Sequence, residues 1–164
     1  MVYRESFKVH SKDKAVTFHD VTGQAGEIAG RSGIRNGIAV VYSRHTTCCV
    51  ITEEEAFDMS MTGLKTLQQD LIEALETILP AYRKEGMYLH PGPMALAFAE
   101  QHGEDARGCH NTDAHLRSSI IGRSETIVLI DGELELGDFG HIFFIDFDTT
   151  RARERTVQIQ ILGD

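Results

Sequence analysis

The chain has 164 residues, 41% of them hydrophobic and 25% charged, and a formal net charge of −9 at pH 7. This length predicts one domain spanning residues 1–164, and the negative charge argues against nucleic-acid binding, which needs a basic surface. No run approaches the roughly 20 apolar residues of a membrane span, and Met1–Lys14 lacks an apolar signal-peptide core. We therefore expect a cytoplasmic protein with no membrane partner.

Two strands and a helix are predicted at the beginning of the chain. Glu5–His10 and Ala15–His19 are typical of short strands on either side of the Ser11–Lys14 turn. Thr22 is placed to cap a short helix that ends near Gly33, because a threonine hydroxyl can accept a hydrogen bond from the first helical turn.

Two more strands follow the turn signal Asn36-Gly37. Ile38–Tyr42 and Cys48–Thr52 are apolar and β-branched, as strand residues usually are, and residues 44–47 form the break between them. The two cysteines that open the second strand are adjacent, so they point to opposite faces and do not pair. An odd total of three cysteines is typical of a reducing compartment.

The middle of the chain predicts a helix followed by an irregular segment. Apolar residues recur at spacings of three and four before Pro80, which indicates one face of an amphipathic helix: Leu64, Leu67, Leu71, Leu75 and Ile78. Gly86–Gly108 is the least regular part of the chain because Pro91-Gly92-Pro93 breaks it. A helical turn is expected there at Met94–Ala99.

The end of the chain is predicted to be β-structure. Thr126–Ile130 and Glu133–Leu136 flank Asp131-Gly132, a pair that favours a type I′ hairpin turn. His141–Phe147 and Thr156–Leu162 are two more strands. Strands at both ends with helices between them predict an α+β fold, in which helices pack on a mostly antiparallel sheet.

The segment from His110 to His115 is the strongest candidate for chemistry. It places two imidazoles, an amide and a carboxylate before an apolar helical run, and imidazole is both a common metal ligand and a proton shuttle. On a helix Asn111 and His115 share a face, whereas His110 can reach the same point only from the loop before the first turn. The alternative is a solvated helix start capped by Thr112 or Asp113.

Other histidines could join such a site. Thr46 and Thr47, which follow His45, could hydrogen-bond a phosphate or fix the imidazole. The alternative is a β-edge with His45 exposed. His90 and His102 lie in the irregular segment. Either could complete a three-histidine metal site, or be an ordinary loop residue.

Charged residues and a thiol add further candidates. Glu54 could act as a base, although a run of three glutamates is typical of a solvated turn. Arg151, Arg153 and Arg155 alternate, so on a strand they share a face that is either solvated or binds a phosphate, for which arginine is well suited. Cys109 would be a nucleophile if the neighbouring imidazolium stabilised its thiolate. Otherwise it is a small buried hydrophobe.

Taken together, these motifs resemble the YjbQ-type family, often described as secondary thiamine-phosphate synthases. The resemblance covers nearly the whole chain and is carried by three blocks: Ser43–Thr47 with Ile51–Glu54, Asn111–Gly122, and Asp131–Gly137 through Ile142, Asp146 and the arginine-rich turn. Tyr88-Leu89-His90 matches the family's Tyr-x-His, and His102 is the competing match. Two segments depart from the family pattern, namely Gly137-Asp138-Phe139-Gly140 and the insertion Ala56–Gly63.

The resemblance implies a barrel-like sheet that assembles as a homotrimer. It also implies a reaction that joins hydroxymethylpyrimidine diphosphate to thiazole phosphate, as a secondary activity that leaves the native substrate open. Such a displacement needs a cationic or metal clamp for the departing pyrophosphate. A divalent metal ion, zinc or magnesium, is therefore the expected cofactor, and a small phosphorylated substrate is the expected partner.

The resemblance and the residue chemistry together assign roles. The residues expected to be catalytic are His45, Glu54, Asn111 and His115. Those expected to bind substrate are Thr46, Thr47 and Arg153, and those expected to bind metal are His90, His110 and His115. Two alternatives stay open: a non-catalytic trimeric protein that binds a metal or a metabolite, and a metal-dependent hydrolase of a phosphorylated small molecule.

Overall fold

Eight strands and four helices make up most of the protein, and the computed structural model describes all of residues 1–164. The strands are β1 Val2–His10, β2 Thr17–Asp20, β3 Gly37–Ser43, β4 Cys48–Glu54, β5 Ser124–Ile130, β6 Glu133–Leu134, β7 Gly140–Asp146 and β8 Glu154–Gly163. The helices are α1 Thr22–Ser32, α2 Thr66–Ile78, α3 Pro93–Gln101 and α4 Thr112–Ile121, with a short 3₁₀ turn at Ala106–Cys109.

The strands form two antiparallel sheets. One has five strands in the order β1-β8-β3-β5-β6, and the other has three in the order β2-β7-β4. Together they curl into a half-barrel, which confirms the predicted α+β class and the barrel-like antiparallel sheet. The β5–β6 turn follows its sequence signal, because Asp131 and Gly132 both have positive φ, 53° and 91°, as a type I′ turn requires.

The larger hydrophobic core lies between the two sheets. Val41 of β3 and Ile159 of β8 enter it from the five-stranded sheet, and Phe144 of β7 enters it from the three-stranded sheet. Helix α1 adds Ile28 and Ala29 from a single buried face. This core fixes the ends of β3 and β7, from which the loops that carry the predicted functional residues emerge.

A smaller core lies on the opposite face of the three-stranded sheet, where α2 and α4 pack. Cys48 points into the larger core and Cys49 into the smaller one, as alternation along a strand requires. Burial raises the pKa of both thiols well above the usual range for cysteine. These two cysteines are therefore unpaired packing residues, and the three-stranded sheet is covered on both faces.

Helix α2 buries a narrower stripe than its sequence predicts. It begins at Thr66, so Leu64 lies outside it. Leu75 is buried, but Leu67 and Ile78 are 37% and 66% exposed. The predicted stripe is too long because only the central turns of α2 contact the smaller core.

Two other helices begin differently from their predictions. Thr22 is the first residue of α1 and does not cap it; its hydroxyl accepts a hydrogen bond from the backbone N–H of Ile142 instead. Helix α3 extends beyond the predicted turn at both ends, with Pro93 at its first position, where a missing N–H costs nothing. None of the helices combines the length and apolar character needed to cross a membrane.

Buried polar contacts hold α4 against its neighbours. Ser118 Oγ donates to the Cys48 carbonyl oxygen at 2.6 Å. Arg117 is buried and donates to the Leu79 carbonyl at 2.7 Å and to Glu76 at 2.8 Å. These contacts tie α4 to β4 and to the end of α2, and they place its first turn beside the β3–β4 loop.

Candidate functional site

A cavity of about 480 Å³ lies where the β3–β4 loop, the β7–β8 connection, α3 and the start of α4 meet. Residues 44–47 line one part of it, and side chains between positions 148 and 155 line another. The structure brings seven of the nine predicted functional residues to this cavity: His45, Thr46, Thr47, His90, Asn111, His115 and Arg153.

The backbone of β8 orients His45. Its Nε2 accepts a hydrogen bond from the backbone N–H of Thr156 at 2.9 Å, so the proton of the neutral ring is on Nδ1. Burial lowers the pKa of the His45 imidazole, and the guanidinium groups of Arg155 and Arg44 lower it further. His45 is therefore a neutral ring near pH 7 that carries its N–H donor at Nδ1.

His115 is the same tautomer, but its free nitrogen is the other one. Its Nδ1 lies 3.3 Å from the carbonyl oxygen of Thr46, which can only accept, so Nδ1 carries the proton and Nε2 keeps its lone pair. Burial lowers the pKa of the His115 imidazole; the hydrogen bond to Thr46 opposes this, and the His90 ring, 5.9 Å away, adds to it. His115 is therefore a neutral base on the cavity wall.

The cavity wall is positively charged. It contains only two carboxylates, those of Glu104 and Asp148, beside four guanidinium groups, those of Arg44, Arg151, Arg153 and Arg155. Leaving the histidines aside, four positive and two negative lining groups give +2, and the buried Asp146 carboxylate that pairs with Arg155 lowers this to a formal charge of +1. The sign is opposite to the net charge of −9 for the whole chain, so the cavity is a local site for an anion.

Two of these arginines have buried donors without partners. The Nε atoms of Arg151 and Arg153 are buried and form no hydrogen bond, although Arg151 Nη2 donates to Glu104 at 2.9 Å and Arg153 Nε lies 3.8 Å from the Asp148 carboxylate. Buried donors in proteins are nearly always satisfied. These Nε atoms are closed to solvent, but the guanidinium-bearing side chains of Arg151 and Arg153 are 32% and 33% exposed on the cavity wall, so their outer N–H groups can donate to an anion.

Two buried aspartates, which the sequence analysis did not assign to the site, organise this wall. Asp146 accepts a hydrogen bond from Arg155 Nε at 2.6 Å, and the same guanidinium donates to Thr47 Oγ1 at 3.0 Å. Asp148 accepts from Asn111 Nδ2 at 3.3 Å. The signal was present in the sequence, because aspartates that interrupt an apolar strand must be paired if they are buried, and an arginine-rich turn follows them.

Glu54 and His110 lie outside the cavity. Glu54 is at the far end of β4 and lines a separate acidic cavity. His110 precedes α4, but its ring stacks on Tyr82 with centroids 4.8 Å apart and planes 2° apart. No group of three or more histidine, cysteine or acidic side chains is arranged to hold a metal ion. His90 and His115 line the cavity with ring centroids 5.9 Å apart, but His110 does not join them, so the three predicted ligands do not form a complete metal site.

The remaining sequence candidates have separate places. Cys109 lines the cavity and is partly buried, whereas His102 does not line it and instead contacts Phe98. The segment Gly137–Gly140 adjoins Glu54, because Gly140 pairs with it in the sheet, and no residue of Ala56–Gly63 lines the cavity. Both departures from the family pattern therefore lie away from the arginines and histidines that line the cavity.

The comparisons with known proteins agree with this fold. A family profile described as "UPF0047 protein YjbQ-like" matches residues 5–164. A UPF0047 protein of Methanocaldococcus jannaschii is 30% identical over 164 residues, covering 100% of this chain and 96% of that protein. The UPF0047 protein YugU of Bacillus subtilis is 26% identical and covers 88% of each chain.

A solved structure supports the same assignment. The crystal structure of a YbjQ-like protein from Sulfolobus solfataricus P2 superimposes with a TM-score of 0.72 at 21% identity, covering 100% of both chains. At that identity the likeness establishes the fold alone. The profile match over almost the whole chain and the 30% identical relative show that this protein belongs to the YjbQ-like UPF0047 family.

Proposed function

We propose that the cavity binds a phosphorylated small molecule and catalyses the departure of its diphosphate, in a thiamine-phosphate-synthase-like transfer. The observation that carries the proposal is that Arg151 and Arg153 line a positively charged cavity with side chains that are 32% and 33% exposed. Arginine donors suit phosphate oxygens because the guanidinium can bind two of them at once.

The side chains have distinct roles in this proposal. Arg151 and Arg153 bind the diphosphate, and His45 donates from Nδ1 to one of its oxygens. The carbon–oxygen bond to the diphosphate breaks, and the electron pair leaves with the diphosphate. The lone pair of the thiazole nitrogen forms the new carbon–nitrogen bond. The cationic wall accelerates this step because it stabilises the charge that develops on the departing group.

Hydrolysis of the same substrate is the second candidate, and the free Nε2 of His115 favours it. A neutral imidazole with an available lone pair can take a proton from water as the water attacks. Such general-base assistance contributes roughly 10²- to 10⁴-fold to a rate. The two candidates share the phosphate-binding wall and differ in whether the nucleophile is an organic acceptor or water.

A turnover assay separates these candidates. Purified protein is incubated with hydroxymethylpyrimidine diphosphate, with and without thiazole phosphate, and released pyrophosphate is measured. Release that requires thiazole phosphate supports the transferase. Release without it supports the hydrolase, which His115→Ala should slow by at least about 100-fold. The exposed His10 supplies the matched control, His10→Ala. If binding occurs without turnover, the protein is a non-catalytic binding module; if neither occurs, the proposal fails.

We also propose that the protein is a homotrimer, as the family resemblance implies. Ile38 of β3 pairs with Val128 of β5, and both side chains, with Ile130, are exposed on the outer face of the five-stranded sheet. Light scattering should give three times the 18.3 kDa chain mass. Val128→Asp should shift the population toward the single-chain mass, and a wild-type monomer would refute the proposal.

Three unpaired thiols accord with a reducing compartment, and we propose the cytoplasm as the location of the protein. Cell fractionation followed by immunoblotting would test this proposal. Recovery of the protein with a cytoplasmic marker is the expected result, and recovery with secreted or membrane-associated material would contradict it.

A further inference from the structure

The apolar part of the cavity wall comes from one side of the cavity only. Helix α3 supplies Ala95, Phe98 and Ala99, and the turn after it supplies Cys109. The three helical residues have the spacing i, i+3, i+4, which places them on one face of α3. The arginines come instead from the β3–β4 loop, the β7–β8 connection and the start of β8. The cavity therefore combines a cationic wall with an apolar wall from a different element.

The two walls are joined at the end of α3. Glu104 follows α3 and accepts a hydrogen bond from Arg151 Nη2 at 2.9 Å. Gly108 leaves room for the same guanidinium, because a Cβ at that position would lie 3.0 Å from Arg151 Cζ. One small ligand can therefore contact Arg151 through its phosphate and α3 through its organic part.

Phe98 is the largest apolar side chain on the cavity wall, and it is held in place although it is 62% exposed. Its ring stacks on the His102 ring with centroids 4.0 Å apart. Nδ1 of His102 donates to the Phe98 carbonyl oxygen at 2.7 Å, so the imidazole is fixed in turn. Covering an exposed phenyl ring with a flat apolar group is favourable. Because the Phe98 ring is already held in position, ligand binding has to order it little.

We propose that Phe98, positioned by His102, is the specificity-determining contact for the organic part of the substrate. The ligand class is then a phosphate or diphosphate ester of a flat aromatic ring, in preference to inorganic phosphates or polyhydroxylated sugar phosphates. This inference rests on the proposed phosphate-binding function of the cavity.

Calorimetric titration with two probes tests the inference. Inorganic pyrophosphate reports on the arginine wall alone, and benzyl diphosphate reports on both walls. Phe98→Ala should weaken benzyl diphosphate binding by about tenfold, the upper range for one aromatic contact, and leave pyrophosphate binding within about twofold. His102→Ala should have a smaller effect in the same direction, and His102→Phe should restore binding. Met94→Ala is the control, because Met94 is on α3, is 88% exposed and does not line the cavity.

Each alternative outcome is distinguishable. Equal losses for both probes in Phe98→Ala, or no loss for either, would overturn the role of Phe98 while the phosphate site stands. So would a wild-type protein that binds benzyl diphosphate no more tightly than pyrophosphate or a sugar phosphate. Failure of the wild type to bind pyrophosphate would overturn the proposed function itself, and this inference with it.

Discussion

At the scale of single residues, the backbone decides what each histidine can do. A peptide N–H points at Nε2 of His45, and a peptide carbonyl faces Nδ1 of His115. The first contact makes Nδ1 of His45 the donor, and the second makes Nε2 of His115 the acceptor. The same cavity therefore holds one imidazole suited to donate to an anion and one suited to accept a proton.

The burial of the His45 imidazole predicts a pH dependence of stability. Burial lowers the pKa of His45 in the folded protein, so below the ordinary value of about 6.5 the unfolded state binds more protons and the free energy of unfolding falls. His45→Gln keeps an acceptor but does not titrate. Urea unfolding at pH 7.5 and pH 5.0 should show a smaller loss of stability in His45→Gln than in the wild type. Equal losses of unfolding free energy in the two proteins would show that the pKa of His45 is not lowered in the folded state.

The buried pair of Arg155 and Asp146 predicts a large effect on stability. The side chains of Arg155 and Asp146 are 7% and 0% exposed, so Arg155→Met leaves a buried carboxylate without its cation. Such a change costs about 3–5 kcal/mol of unfolding free energy. The exposed pair of Arg35 and Asp131 supplies the control Arg35→Met, for which urea unfolding should show a loss of about 0–1 kcal/mol. Similar losses for both variants would show that the buried pair of Arg155 and Asp146 stabilises the fold no more than an exposed pair does.

At the scale of elements, the strands were predictable and the helices less so. Strand residues alternate or form β-branched runs, and the two sheets bury those faces as the sequence indicates. The buried stripe of α2 is shorter than predicted because a leucine spacing records which residues share a face, not which turns contact a core. Leu67 is apolar yet exposed on α2, whereas the polar Gln68 beside it is buried.

The attachment of α4 to β4 predicts a second change in stability. Ser118→Ala leaves the buried Cys48 carbonyl without its side-chain donor at 2.6 Å, which costs about 1–3 kcal/mol. Ser119 is the next residue on α4 but is exposed, and its hydroxyl donates to a carbonyl of its own helix. Ser119→Ala should therefore change the unfolding free energy by less than about 0.5 kcal/mol. If the two variants are equally stable, Ser118 does not fasten the helix.

At the scale of the whole molecule, the cavity and the rest of the protein carry charge of opposite sign. An acidic protein of net charge −9 surrounds a cavity whose wall is cationic. Four residues that the sequence singled out lie together on the cavity wall: His45, Asn111, His115 and Arg153. The sequence did not predict the position of the His110 side chain, because a residue just before a helix can point in several directions. In the structure its ring stacks on Tyr82. The prediction that Glu54 joins the site was wrong because Glu54 is the last of the seven residues of β4, whereas the cavity lies at the beginning of that strand.

The central claim is that this cavity is a phosphate site, and calorimetric titration with inorganic pyrophosphate tests it most directly. The account predicts one pyrophosphate bound per wild-type chain, about tenfold or more weaker binding in Arg153→Gln as a charged donor is lost, and unchanged binding in Arg35→Gln, whose residue is exposed and distant in the fold. Absence of binding by the wild type, or equal losses in the two variants, would contradict it.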